Sequence, residues 1–394
     1  MFINADREYT EGRAQNMLRP GHEQKIVATY RAFTNVDAFA RVVTAAELAE
    51  NDFNCNIRRY ADNAPPPEPH DVRAHLHGGV PIAELDDAAP LLAQAGIDID
   101  AFFIDRGNGY ADWNHDIQTS EGRDAARDAI QHAVAQQNSG SGFDKWWHEA
   151  AYPELLALPE KGTLVGLRSE LVEDFVSHLE PEGIERFAAA GIAATWWEDS
   201  VFDLQAAASR GWNAVLEGWL TTAEATQDDK HAPDLADQIA IRLLAGDALD
   251  QRRELATEAA RLDAEIKAAE PSGDEDDEDV ESKDMVSPDD LKELKAARTK
   301  AKKGLKTIDA ALLVTSRTAL AGMSTEAAND IVIGELSHRI ERLLGDHYVS
   351  VVRHVIAWHD NLTGKYGVTL RELEAARNDA AARLDKHLQE LGYG

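Results

Sequence analysis

The chain of 394 residues is 44% hydrophobic, carries a formal net charge of −31 and contains one cysteine, Cys55. It is long enough for more than one domain with a substantial core, and it has no apolar run of the ~18 to 20 residues that a membrane-spanning helix needs. One cysteine excludes an internal disulfide, and no charged-then-apolar secretion leader is recognisable. The chain is therefore predicted to be cytoplasmic.

The negative charge is unevenly distributed along the chain. Residues 1–75 contain nine Lys and Arg against eleven Asp and Glu, whereas the rest of the chain contains 31 against 60. Because phosphate binding depends on clustered Lys and Arg, this balance excludes a protein that grips nucleic acid over most of its surface. We expect any contact with nucleic acid near the N-terminus.

The first 63 residues have the pattern of an α/β segment. Phe2–Ala5 is a short apolar run typical of a buried strand. Since no complete domain begins so abruptly, it is predicted to be a last strand whose sheet partners are missing. Helical spacing follows in His22–Phe33, a second strand in Phe39–Val43, and a capping box at a helix start in Thr44–Glu47. Phe53–Tyr60 alternates well enough to predict a strand or an extended segment.

Four motifs occur here in a specific order and spacing: Phe-Ile-Asn-Ala-Asp-Arg-Glu-Tyr at 2–9, Gly-Arg-Ala-Gln-Asn at 12–16, Glu-Gln-Lys-Ile-Val at 23–27 and Asn-Asp-Phe-Asn-Cys-Asn-Ile-Arg-Arg-Tyr at 51–60. They resemble the region just beyond the catalytic core in the modification subunits of type I restriction-modification systems, which are adenine-N6 DNA methyltransferases using S-adenosylmethionine. Residues 366–374 and 388–394 resemble the ends of long family members. The resemblance covers essentially the whole chain and predicts the C-terminal portion of such a subunit.

Two motifs of that family are absent from the sequence. A family member carries, upstream of this region, a glycine-rich cofactor loop and an Asn-Pro-Pro-Phe-type motif that holds the adenine amino group. Asn63–Pro67 also contains an asparagine and prolines, but no proline follows the asparagine directly. It also lacks the closing aromatic residue that would stack on a flipped base. Gly107–Gly109 and Gly140–Gly142 follow no convincing strand and are interpreted as turns or linkers. The resemblance therefore implies no catalytic residue in this chain, no cofactor bound by it alone, and S-adenosylmethionine in the complete enzyme.

The middle of the chain is predicted to be mainly helical. Residues 64–79 form a proline-rich linker, because proline can neither extend a helix nor pair in a central strand. Residues 80–246 form a helical middle domain, with Asp98–Trp113 as a small strand-and-turn insertion or an irregular loop. Cys55, where the resembling family more often has leucine, is expected to be a small buried side chain. Acids rather than bases accompany the tryptophans, so we expect core positions for Trp146, Trp147, Trp196, Trp197, Trp212 and Trp219.

Residues 247–314 have the pattern of an antiparallel coiled-coil hairpin. Apolar residues recur at alternating spacings of four and three between Leu255 and Ala269, and this spacing returns between Leu291 and Leu312. The acidic stretch between the arms cannot bury apolar area, so residues 270–287 are predicted to form a disordered acidic tip. The alternative, that this stretch mimics DNA, stays open.

Residues 315–394 are predicted to form a C-terminal helical region that docks on a partner. Ala328–Leu344 and Val349–Leu362 have apolar faces, and Thr369–Glu372 is a capping box that opens a last helix. The three-four seam of that helix consists of Leu370, Leu373, Arg377, Ala380, Leu384, His387 and Leu391. Periodicity alone fits an internal bundle helix equally well. In the resembling family the C-terminal helices dock on the specificity subunit, which makes this seam the candidate contact.

The best local candidates for facing DNA lie in the one region that acids do not dominate. They are Asn54, Asn56, Arg58, Arg59 and Tyr60, together with Arg13, Gln15 and Asn16. The alternative is structural: Ile57 and Tyr60 pack, while the two arginines only fix the junction with the linker. No metal site is predicted, because the histidines beside the linker lack a cysteine partner or an ordered helix spacing.

The predicted fold is mainly α, with a short α/β remnant of a Rossmann-like methyltransferase domain at residues 1–63, a helical domain with a coiled-coil hairpin, and C-terminal helices. By resemblance, the complete enzyme includes the missing N-terminal methyltransferase portion, methylates adenine N6 in DNA, and works with a specificity and a restriction subunit. The chain alone is predicted to be inactive and to serve in assembly. The competing hypothesis is a stand-alone acidic interaction or inhibitor protein, either a truncated subunit or a DNA mimic.

Overall fold

The computed structural model describes residues 1–10, 15–64, 68–114, 119–137, 141–226, 229, 231, 233–269 and 288–391. These residues are mainly helical, as predicted, with two small antiparallel sheets. They divide into two compact units, each assembled from separate stretches of the chain. The first unit comprises Met1–Glu154, Val165–Val201 and Ser337–Gly394, and the second comprises Leu155–Leu164 and Phe202–Leu336.

The α-helices are, in chain order, α1 (Pro20–Ala32), α2 (Ala45–Glu50), α3 (Val72–His77), α4 (Ile82–Asp87), α5 (Ala89–Gln94), α6 (Ser120–Gln137), α7 (Ser141–Trp146), α8 (Tyr152–Leu156), α9 (Leu158–Lys161), α10 (Leu167–Leu179), α11 (Arg186–Arg210), α12 (Trp212–Thr226), α13 (Ile239–Leu244), α14 (Asp247–Ala269), α15 (Pro288–Ala321), α16 (Thr325–Tyr366) and α17 (Leu370–Glu390). A π-helical turn, Trp147–Ala151, joins α7 to α8. Single 3-10 turns occupy Ile57–Arg59, Ile99–Ala101, Glu180–Glu182 and Leu235–Asp237.

The strands form two separate sheets in the first unit. Strand β1 (Phe2–Ile3) pairs antiparallel with β2 (Ala40–Arg41), with Phe2 opposite Arg41. The second sheet has the order β3 (Val80–Pro81), β5 (Tyr110–Trp113), β4 (Phe103–Gly107), and all of its pairs are antiparallel. The Rossmann-like character of the first segment stays a prediction, because two short antiparallel strands do not define that fold.

The segment from Phe53 to Tyr60 is not a strand, so that prediction was wrong. Asp52 and Phe53 have φ angles of 54° and 53°, which turn the chain sharply. The side chains of Asn54 and Asn56 then accept hydrogen bonds from backbone N–H groups two residues further on, at 2.9 Å and 3.2 Å. Such local bonds compete with a strand ladder and favour turns. The same turn exposes Cys55, which corrects its expected burial.

The segment Asp98–Trp113 is the small strand-and-turn insertion and not an irregular loop. Strands β4 and β5 form a hairpin whose connecting residues Gly107, Asn108 and Gly109 have φ angles of 78°, 59° and 82°. Three consecutive residues in the left-handed region explain the Gly-Asn-Gly sequence, because glycine and asparagine adopt that conformation most readily. Its interpretation as a turn is confirmed.

Tryptophans occupy the core, as predicted. In the first unit Trp146, Trp147, Trp196 and Trp197 are buried, and the rings of Trp146 and Trp196 lie edge to face at 6.1 Å. The Trp146 indole N–H also donates to the carbonyl of Leu171 at 3.3 Å. Buried indoles combine a large apolar area with one satisfied donor, which stabilises this core. In the second unit Trp212 is buried, whereas Trp219 is half-buried.

The second unit contains the two helices predicted as hairpin arms. Asp263 of α14 contacts Arg298 and Lys302 of α15, whereas Arg252, earlier in α14, contacts Asp309, later in α15. The two helices are therefore antiparallel. Their shared apolar cluster consists of Ala259, Leu262 and Ala301, with Leu294 and Leu305 packed against it. Coiled-coil geometry stays a prediction, and residues 270–287, the predicted acidic tip, lie outside the described residues.

Helix α16 is one continuous helix, although the sequence suggested two. Its buried stripe continues through the expected break, with Leu344, Tyr348 and Val351 all less than a tenth exposed. These residues follow the three-four spacing of one helix face, so packing of that face outweighs the small helix cost of Gly345. None of the described helices is long and apolar enough to span a membrane.

The C-terminal end of α16 is anchored in the first unit by a buried polar cluster. The Lys365 ammonium contacts the Glu84 carboxylate, and these side chains are 8% and 10% exposed. The Tyr366 hydroxyl donates to Glu84 and accepts the Asp71 N–H at 3.2 Å. Burial, reinforced by the bond to Glu84, raises the pKa of Tyr366 to about 12. Glu84 thus satisfies two buried groups at the point where α16 meets α4.

We predict that Glu84→Ala destabilises the first unit by about 3 kcal/mol, because it removes the main partner of a buried ammonium group. Urea unfolding followed by tryptophan fluorescence measures this change. Asp86→Ala, an exposed position on the same helix, is the matched control and should change stability by less than about 0.5 kcal/mol. Equal losses in both variants would contradict the anchoring role of Glu84.

Candidate functional site

Five of the DNA-facing candidates belong to one turn, and all of these except Tyr60 are exposed there. Asn54, Asn56, Arg58 and Arg59 are exposed, whereas Tyr60 is only 5% exposed and its ring stacks on Phe2 at 4.4 Å. The Tyr60 hydroxyl donates to the carbonyl of Asn54 at 2.7 Å, which closes the turn. Tyr60 therefore supports the turn from within and is not presented at its surface.

The remaining candidates precede α1. Gln15 and Asn16 are exposed, and Arg13 lies outside the described residues. Within the described part of the chain, no hydrogen bond joins Gln15 or Asn16 to the turn at 54–59. The turn is therefore the part of the candidate surface whose geometry the structure defines.

Both arginines of the turn make contacts within the segment. Arg58 Nη2 lies 2.9 Å from Asp6 Oδ2, and Arg59 Nη1 donates to Asn51 Oδ1 at 2.8 Å. The Arg58 side chain nevertheless remains 69% exposed. A guanidinium has five N–H donors, so one contact positions it while others stay available to a phosphate.

The turn is held in place by a tie between residues 2–6 and residues 60–63. The buried Asn4 donates from Nδ2 to the carbonyl of Ala61 at 2.8 Å. Asn63 donates from Nδ2 to Asp6, next to the Arg58 contact on the same carboxylate. Together with the stacking of Phe2 on Tyr60, these bonds join the two ends of the segment. Burial of Asn4 makes its bond costly to lose, because an unsatisfied buried amide is unfavourable.

Sequence reasoning missed the roles of Asn4, Asp6 and Asn63. It considered Asn63 only as a near-match to a catalytic asparagine, whereas the structure shows a side chain that is 9% exposed and bonded to Asp6. Asn63 is thus a structural residue in this fold. No local signal could reveal the tie, because its partners are separated by 57 residues along the chain.

The predicted docking seam lies on a fully exposed helix. Every residue of α17 is exposed, and Leu370, Leu373, Leu384 and Leu391 are between 49% and 71% exposed. Thr369 and Glu372 form the predicted capping box at its start. Among the described residues, the polar seam residues Arg377 and His387 form hydrogen bonds or ion pairs with near neighbours of their own helix, Asn378 and Glu390. The first unit therefore presents an amphipathic helix with an uncovered apolar side.

The histidines beside the linker come together without forming a metal cluster. His70 Nδ1 lies 3.2 Å from His75 Nε2. Across the described ranges, no group of three or more His, Cys, Asp or Glu side chains is placed to hold a metal ion.

Asp6 makes the tie sensitive to acid. The hydrogen bond from Asn63, followed by that from Arg58, lowers the pKa of Asp6 below its ordinary value of 3.8. A carboxyl whose pKa is lower in the folded than in the unfolded chain stabilises the fold above the unfolded pKa. That contribution is lost as the pH falls through the lowered pKa.

We therefore predict that Asp6→Asn loses less thermal stability than the wild type between about pH 5 and about pH 2.5. Calorimetric melting temperatures across this range measure the difference. Asp52→Asn is the control, since that exposed carboxylate takes no part in the tie. Identical acid profiles for the wild type and Asp6→Asn would contradict the role of Asp6.

The comparison with known families concerns the same N-terminal segment. Residues 1–68 match the family described as N-6 DNA Methylase. The chain is 38% identical over 63 residues to the type I restriction enzyme MjaVIII methylase subunit of Methanocaldococcus jannaschii, a match covering 15% of this chain and 11% of that subunit. It is 34% identical over 79 residues to the MjaVII methylase subunit of the same organism, covering 19% and 14%. No solved structure matches the chain significantly.

The match thus covers a small part of each relative, and it coincides with the segment whose ends are tied through Asn4 and Asp6. The resemblance found in the four sequence motifs is confirmed over these residues. Over residues 1–68 the chain is therefore similar to the N-6 DNA methylase family, and the two relatives that it matches in part are type I restriction enzyme methylase subunits.

Proposed function

We propose that this chain is the C-terminal portion of a type I modification subunit and acts together with a catalytic methyltransferase portion that it does not itself contain. The observation that carries the proposal is the family match over residues 1–68. The complete enzyme would transfer the methyl group of S-adenosylmethionine to N6 of adenine in DNA, with loss of a proton from N6. The tasks of this chain are to complete the edge of the catalytic domain and to assemble the complex.

Exposed apolar side chains on the matched segment support the first task. Val27 and Tyr30 of α1, with Phe33 at its C-terminal cap, are 41%, 65% and 56% exposed. They recur every three residues and so share one side of the helix. Single exposed apolar residues are common, but a cluster of large ones marks an interaction surface. The catalytic portion is the proposed occupant, because these residues lie in the segment that matches the methylase family.

The exposed turn supports a contribution to DNA binding. Asn54, Asn56, Arg58 and Arg59 project from a segment that the tie holds in one conformation. Arginine and asparagine side chains supply the donors that contact phosphates and base edges. We propose that this turn borders the DNA in the assembled enzyme, and Arg13, Gln15 and Asn16 of the matched sequence are further candidates for contacting it.

Helix α17 supports the second task. Its apolar seam is uncovered and is interrupted by Arg377 and His387. Polar residues at seam positions select a partner and a register at some cost in stability. We propose that the seam docks on the helical spacers of the specificity subunit, and that the restriction subunit joins the complex formed in this way.

Reconstitution tests the catalytic part of the proposal. The isolated chain should neither bind S-adenosylmethionine in calorimetry nor methylate DNA. Adding a separately expressed methyltransferase core of the family, with a specificity subunit, should give methylation that depends on this chain. Tyr30→Asp should weaken the association with that core. Val314→Asp introduces the same charge at an exposed apolar residue of the second unit and should not weaken it.

Micromolar affinity of the isolated chain for S-adenosylmethionine would contradict the proposal that a separate catalytic portion binds the cofactor. In the reconstituted complex, replacing both Arg58 and Arg59 by alanine should lower DNA affinity and reduce its salt dependence. Unchanged affinity and salt dependence would show instead that the two arginines only fix the junction.

Co-purification tests the docking helix. Leu373→Asp combined with Leu384→Asp should abolish capture of the specificity subunit, because charges replace the apolar seam. Ala375→Asp combined with Ala382→Asp places the same charges away from the seam and should leave capture intact. Equal capture by both double variants would exclude α17 as the docking element.

A further inference from the structure

A polar cleft in the first unit lies outside the segment that matches the methylase family. Its volume is about 460 Å³, and it opens between the end of α3 and the β4–β5 turn. The residues that line it are Arg73, His77, Gly78, Arg106, Gly107, Asn108 and Tyr110. A volume of this size is within the range of ligand-binding pockets.

One wall of the cleft is organised by Asp71. Its carboxylate accepts the Tyr110 hydroxyl, with oxygen distances of 3.0 Å and 3.1 Å, and also accepts the Ala74 N–H at 2.7 Å. The Tyr110 ring is thereby fixed, and the Arg73 guanidinium lies 4.7 Å from its centroid. A cation over an aromatic face is held in place without losing its hydrogen-bond donors to another side chain.

Arg106 of β4 also lines the cleft and is closely packed. A Cβ at Gly79 would lie 3.1 Å from Arg106 Nη1 and 3.4 Å from the Cβ of Tyr110, and Gly79 has a φ of +88°. Only glycine fits both this conformation and this approach without displacing the arginine. The same Nη1 atom of Arg106 also contacts Asp112 Oδ1 at 3.3 Å, which helps to orient the guanidinium.

The lining is cationic in a chain whose net charge is −31. Among the residues that the structure describes, two guanidinium groups and one histidine line the cleft, and no carboxylate does. The nearby acids keep their charge but engage other donors: Asp71 with Tyr110 and Ala74, Asp105 with the Gly107 N–H, and Asp112 with Arg106. The two guanidinium groups are therefore the charged groups of this lining that are placed to contact an anion.

We propose that this cleft binds a phosphate group, carried either by a nucleotide or by the backbone of DNA. Two arginines at the mouth of one cleft match the recognition of phosphate, because each planar guanidinium can donate two parallel hydrogen bonds to its oxygens. His77 and the Asn108 amide supply further donors beside them. The proposal does not rest on the methylase role, since the residues of the cleft lie outside residues 1–68, which match the family model.

Titration of the full-length chain with pyrophosphate at low ionic strength tests the site directly. We expect saturable binding that weakens by about tenfold or more in the double variant R73Q/R106Q. The control R371Q/R383Q removes the same charge from two exposed positions of α17 and should bind like the wild type. Because Arg73 and Arg106 are exposed, all variants should fold, and circular dichroism melting verifies this.

Competition identifies the source of the phosphate group. If duplex DNA displaces pyrophosphate and ADP does not, the ligand is the DNA backbone, and the reverse result assigns a free nucleotide. Absence of binding by pyrophosphate, ADP and duplex DNA would overturn the proposal. Equal weakening in R73Q/R106Q and R371Q/R383Q would overturn it as well, because only the net charge would then matter. Both results are separate from the reconstitution of methylation.

Discussion

The hydrogen-bonded tie between residues 2–6 and residues 60–63 is the constraint on which the candidate DNA-facing surface depends. Asn4 and Asp6 reach partners 57 residues away and close the segment into a loop with fixed ends. The asparagine-rich turn between those ends carries exposed arginines. The hydrogen bonds of Asn54 and Asn56 within the turn join residues two positions apart. Surface loops are commonly mobile, and the tie restricts the turn so that its arginine side chains have defined orientations.

The carboxylates of this acidic chain repel anions, but some of them also hold arginine side chains in position. Asp6 contacts Arg58 on the family segment, and Asp112 contacts Arg106 beside the polar cleft. In both places the arginine keeps donors that its carboxylate does not use. A strongly negative net charge therefore limits where phosphate can bind but does not exclude it, since binding depends on the local arrangement of charge.

Two apolar surfaces of the first unit support the proposed assembly with partners. The side of α1 that carries Val27, Tyr30 and Phe33 and the seam of α17 both expose large side chains. Burying either surface would contribute roughly 25 cal/mol per Å² of apolar area, against the entropy lost on association. Other large apolar side chains, such as those of Trp146 and Trp196, are buried in the core.

Short-range chemistry was readable from the sequence by itself: the N-cap at Thr44, the capping box at Thr369, the Gly-Asn-Gly turn, the helical periodicity and the core tryptophans depend on residues a few positions apart. At Thr44 only the threonine half of the predicted capping box forms, because the Glu47 carboxylate contacts Arg41 instead. The four motifs also indicated the resemblance to the family, because the order and spacing of motifs can be read from the sequence alone. Only the tertiary structure decided that Asn63 is structural, that α16 runs unbroken, and that Arg73 and Arg106 share a cleft. These features depend on packing and on contacts between distant positions, such as Tyr366 with Glu84 across 282 residues, and local patterns carry no record of them.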